Sequence, residues 1–61
     1  MELTQIAGGD CMRDDCPIIF RTDKDTIAVQ GSIVHKETPV GEAVVEIPIA
    51  VFPEAARALG R

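Results

Sequence analysis

The segment Ile18-Ile19-Phe20-Arg21-Thr22-Asp23-Lys24-Asp25-Thr26-Ile27-Ala28-Val29-Gln30-Gly31-Ser32-Ile33-Val34 decides the fold. Ile18 to Arg21 is a short apolar run, and Thr22 to Asp25 is polar and turn-forming. From Thr26 to Val34 the chain alternates with period two. Ile27, Val29, Gly31 and Ile33 face one way; Ala28, Gln30, Ser32 and Val34 face the other. Two such runs with a four-residue connection predict a β-hairpin. Gly31 inside the second run predicts a bulge or a close backbone approach.

Working outward, Met1 to Ile6 reads as a short edge strand or a frayed end. Ala7 to Cys16 holds Gly8-Gly9 and several Asp residues, which is loop composition. His35 to Gly41 is a second loop. Glu42 to Ile47 is a third strand, closed by Pro48, which lacks the N–H a ladder needs. Phe52, Ala55, Ala56 and Leu59 fall at i, i+3, i+4 and i+7, so they predict a C-terminal helix packing that stripe on the sheet. Pro53 suits its first turn and Gly60 the position past its end. Glu54 near its start and Arg57 and Arg61 near its finish complement the helix dipole. The expected fold is α+β: a small antiparallel sheet of three to four strands with one C-terminal helix, in a single domain over residues 1–61.

Composition narrows the function. The chain is 46% hydrophobic, too apolar for a disordered tail. Only Phe20 and Phe52 are aromatic, so the core must be aliphatic. The net charge is −4 and the six basic residues are scattered singly. Nucleic-acid binders gather Lys and Arg on one face to neutralise phosphates, so nucleic acid is not the expected partner. No stretch resembles a signal peptide or spans a bilayer, so a cytoplasmic protein with no membrane partner is expected.

Two strands are apolar on both faces. Ile18, Ile19 and Phe20 are consecutive, and Val44, Val45 and Ile47 do the same. One helix of about two turns covers one face only. The uncovered face is a contiguous apolar patch of the kind soluble monomers seldom carry. A homodimer or a stable protein partner resolves the mismatch, and the homodimer is favoured because so short a chain buries little of its own surface. The alternative is a curled half-barrel that buries both faces itself.

Few groups could carry chemistry. Cys11 and Cys16 have C-x4-C spacing, and His35 could serve as a third zinc ligand. A structural zinc site normally shows two clear ligand pairs, and one is present. In a reducing cytosol the cysteines are expected as thiols ahead of a disulfide, with metal last. A cysteine with His35 supplies the parts for nucleophilic catalysis, but so small a domain rarely encloses a pocket. An enzyme is not expected. Asp23-Lys24-Asp25 starts like a calcium loop, yet its sixth position is Ala28 and its twelfth Val34. Arg21, Asp23, Lys24 and Asp25 are instead the candidate interaction surface.

Cys16-Pro17-Ile18-Ile19-Phe20-Arg21-Thr22-Asp23 followed by Ile27-Ala28-Val29-Gln30-Gly31 resembles a group of small actinobacterial proteins. They share a C-x4-C-P, Arg-Thr-Asp, Val-Gln-Gly core and a closing helix after Ile-Pro. Gly9, Cys11, Cys16, Pro17, Arg21, Thr22, Asp23, Val29, Gln30, Gly31, Ile47 and Pro48 carry the likeness, which spans most of the chain. Asp25 stands where that group commonly shows a glycine after the Arg-Thr-Asp turn. The chain is more distantly similar to BldB-type developmental proteins, which are acidic and encoded beside helix-turn-helix regulators. The resemblance implies a non-enzymatic accessory of a transcription factor, an acidic surface meeting a basic partner. The alternatives are a dimeric DNA-binding regulator using Arg21 and Lys24, and a small zinc-binding module using Cys11 and Cys16.

Overall fold

A computed structural model describes residues 1–9 and 16–60. The elements are β1 (Leu3–Gly8), β2 (Ile18–Thr22), β3 (Ile27–Gln30), β4 (Ser32–Val34), β5 (Val44–Glu46) and α1 (Val51–Ala58). The architecture is α+β, as the sequence predicts. The strands form not one sheet but two, an antiparallel β1-β2-β3 and an antiparallel β4-β5.

The hairpin β2–β3 forms where period-two alternation meets a polar turn. Ile18 pairs with Gln30, Ile19 with Val29, Phe20 with Ala28, and Arg21 with Ile27. Thr22 closes the turn: its N–H donates to the Thr26 carbonyl at 3.0 Å. Its Oγ1 also pairs with Thr26 Oγ1 at 2.6 Å and accepts the Lys24 N–H at 3.1 Å. Those bonds let a buried threonine sit where an apolar residue would otherwise be cheaper. Asp25 takes φ 60°, the left-handed region that glycine occupies freely and Asp tolerates.

β1 is longer than the sequence suggests, running through Ala7 and Gly8, and a bulge breaks its pairing between Gln5 and Ala7. The segment expected as one strand from Thr26 to Val34 is divided. β3 stays with β2, and after Gly31 the chain turns away as β4 to pair with β5. A Cβ on Gly31 would collide with the Glu46 carbonyl oxygen and come within 2.9 Å of Ile47 Cγ2. The glycine is therefore the point where the chain leaving the larger sheet passes tightly against the backbone of β5. β5 is also shorter than expected, Val44–Glu46 rather than Glu42 to Ile47.

The core consists of Ala7, Ile19, Val51 and Ala55, with Ile6 and Ile47 packed against it. Partners across an antiparallel pair share a face, so Ala7, Ile19 and Val29 lie on one side of the sheet. α1 covers that side over β1 and part of β2. Its buried stripe keeps three of the four expected positions, with Val51 in place of Phe52. Val51 and Ala55 are buried, Ala56 and Leu59 are half-buried, and Phe52 is 66% exposed. The helix begins two residues before Pro53, through turn bonds from Val51 N–H to the Pro48 carbonyl and from Phe52 N–H to the Ile49 carbonyl. That phase delivers Val51, not Phe52, to the Ala7–Ile19 pair. Gly60, at φ 75°, ends the helix by donating its N–H to the Arg57 carbonyl.

Candidate functional site

The expected interaction residues lie at the β2–β3 turn. Arg21 ends its run on the same face as Ile27, and with Asp25, Thr26 and Leu59 these residues line an open hollow of about 370 Å³. Leu59 arrives from the end of α1. Asp23 and Lys24 are exposed on the turn outside the hollow. The site therefore brings together Arg21 and Asp25 but not all four residues. Two acids accompany two bases here, so the turn presents no net positive face to a phosphate backbone.

The cysteine candidates fare differently. Cys16 is half-buried and disulfide-bonded rather than a free thiol. Cys11 is the one other cysteine of the chain and lies outside the described residues. A sulfur held in a disulfide is not the thiolate that zinc binds or that attacks a substrate. His35 is exposed just after β4. Among the described residues, no group of three or more His, Cys, Asp and Glu side chains could hold a metal ion. None of their helices is long and apolar enough to cross a membrane.

Several of the residues quoted for the actinobacterial resemblance serve the scaffold. Gly9 N–H donates to the Pro17 carbonyl at 3.0 Å, and Gln30 Nε2 to the Cys16 carbonyl at 2.9 Å. Thr22 ties the turn, and Gly31 admits Glu46 and Ile47. These residues hold a backbone path.

Several large apolar side chains reach the surface, and the chain is less compact than its size predicts. Leu3, Ile27, Val29, Ile33, Val40, Ile49 and Phe52 are all exposed, against four buried apolar residues among those described. Ile27 and Val29 lie on the helix-bearing face and remain exposed, Ile27 beside Leu59 at the end of α1. Total accessible surface is 5107 Å². A compact monomer of 6.6 kDa exposes about 3,900 Å² by the usual size scaling. The radius of gyration tells the same story, 12.2 Å against about 10.5 Å for a compact chain this long.

No protein-family model matches the chain, and no curated protein or solved structure matches it either.

The strand edges complete the site. β1 and β3 are the outer strands of the larger sheet. β1 carries the bulge, a common way of blunting an edge. β3, Ile-Ala-Val-Gln, has no charge, proline or bulge. Sequence reasoning passes over this edge because period-two patterning reveals which side chains share a face, not which strand lacks a neighbour. The absence of charge over Thr26 to Val34 is the signal that could have found it.

Proposed function

We propose that the protein is a small non-enzymatic interaction module that works as a homodimer and docks on a protein partner. The surplus of about 1,200 Å² of accessible surface over a compact monomer carries this reading. It exceeds the roughly 800 Å² that each subunit of a standard interface buries. Only its apolar part drives association, at about 25 cal/mol per Å² before association costs, and the exposed Ile and Val side chains belong to that part.

The net charge of −4 directs the partner. An acidic module attracts a basic surface and is steered toward it. The likeness to actinobacterial proteins encoded beside helix-turn-helix regulators supports a regulator as that partner, and an accessory role in transcription control.

Co-purification tests the reading. The tagged chain and its Asp23→Lys/Asp25→Lys variant are expressed in the source organism, and bound proteins are identified by mass spectrometry. One basic protein should recover with the wild type at near-stoichiometric yield and drop at least tenfold with the variant. Equal recovery with both, or no stoichiometric partner, would overturn the partner assignment.

A further inference from the structure

Resting on the homodimer reading above, we infer that two copies join by antiparallel pairing of their β3 edges about a twofold axis at Ala28, making one continuous six-stranded sheet. Three observations converge on this geometry.

First, the free peptide groups can be assigned. Thr22 N–H bonds to the Thr26 carbonyl, and bonded and non-bonded pairs alternate along an antiparallel ladder. Phe20–Ala28 and Ile18–Gln30 are then the bonded pairs of the β2–β3 register. The N–H and C=O groups of Ile27 and Val29 therefore point outward from the sheet. A second β3 centred on Ala28 sets Ile27 opposite Val29 of the second copy, and Val29 opposite Ile27. All four outward residues then exchange their N–H and C=O groups within the strand itself.

Second, the side chains agree with the backbone. Residues 27 and 29 share a face in each copy, so this register keeps both helices on one side of the joined sheet. Between them, Ile27, 51% exposed, and Val29, 40% exposed, form a floor of four β-branched side chains with the copies' counterparts. Each edge of that floor runs to the hollow lined by Ile27 and Leu59.

Third, charge allows self-association here. Each copy carries −4, which opposes dimerisation through acidic surfaces. Ile27–Gln30 carries no charge, so pairing it with itself sets no like charges opposite one another. The other edges are less suited: β1 has the bulge, β4 and β5 have three residues each, and β5 ends on Glu46.

Cysteine cross-linking of the full chain tests the register directly. At the axis, Ala28 faces its own counterpart as a non-bonded pair, with Cα atoms about 4.5 Å apart, within disulfide reach. Ile27 lies two positions from its own counterpart along the strand. Under mild oxidation, Ala28→Cys should cross-link into covalent dimers at least tenfold more than Ile27→Cys. Val29→Pro removes an outward N–H that the monomer does not use, and should weaken dimerisation at least tenfold in sedimentation equilibrium with the circular dichroism unchanged. Ile27→Lys, which keeps the backbone intact, should do the same. Equal cross-linking at both positions, or a dimer indifferent to Val29→Pro and Ile27→Lys, overturns the β3 edge while leaving a homodimer in place. A wild-type chain that stays monomeric overturns both.

Discussion

Replacing Gly31 by alanine probes the joint between the two sheets. In an unconstrained strand this change stabilises by about 0.4–1 kcal/mol, because alanine has fewer unfolded conformations to lose. Here the new Cβ collides with the Glu46 carbonyl oxygen and lies 2.9 Å from Ile47 Cγ2. The first contact is backbone and cannot rotate away. Relief requires β5 to move, which disturbs the short β4–β5 ladder of Ser32–Glu46, Ile33–Val45 and Val34–Val44. Overpacking of this kind costs about 1–3 kcal/mol, so the net expectation is about 1–2 kcal/mol of destabilisation. In a domain this small that lowers the melting temperature by roughly 4–16 °C. Thermal unfolding followed by far-ultraviolet circular dichroism reads the shift. Hydrogen exchange should show faster amide exchange at Ser32–Val34 and Val44–Glu46 than at β2. A Gly31→Ala protein as stable as the wild type, with β4–β5 equally protected, would refute the close approach.

Three further outcomes are expected. Val51→Ala removes a buried side chain from the core and should cost about 1–3 kcal/mol in urea unfolding, whereas Phe52→Ala, at a 66% exposed position, should stay within about 0.5 kcal/mol in the dilute monomer. Asp25→Gly relieves the left-handed φ of 60° and should stabilise by up to about 1 kcal/mol, raising the urea midpoint without changing the slope. Thr22→Val keeps the shape but loses the turn bonds to Thr26 and Lys24, and should destabilise by about 1–2 kcal/mol by calorimetry.

What the sequence reveals and what it hides follow from the range of the forces involved. The β2–β3 hairpin is legible because alternation and turn chemistry act over a few residues. The division at Gly31 is half legible: a glycine in a strand signals a close approach, but the approaching group, Glu46, is fifteen residues away. Helix existence is legible in Phe52, Ala55, Ala56 and Leu59, while its phase is not. Val51 and Phe52 are adjacent and both apolar, and the bonds from Val51 to Pro48 and from Phe52 to Ile49 decide which one meets Ile19. The apolar surface expected at Ile18-Ile19-Phe20 and at Val44, Val45 and Ile47 lies elsewhere: those residues are buried or half-buried, and the exposed apolar side chains include Leu3, Ile27, Val29, Ile33 and Phe52, whose exposure depends on strand order and helix phase. The free edge of β3 is not legible, since it depends on strand order. The state of Cys16 is equally hidden, because spacing alone allows thiol, metal and disulfide.

The central claim is that this chain exposes more apolar surface than it keeps alone. Sedimentation equilibrium of the purified wild-type protein, from micromolar to near-millimolar concentration, measures that most directly. The apparent mass should climb from 6.6 kDa to twice that value as concentration rises. A mass fixed at 6.6 kDa over the whole range, with Ile27 and Val29 amides exchanging freely, would contradict it.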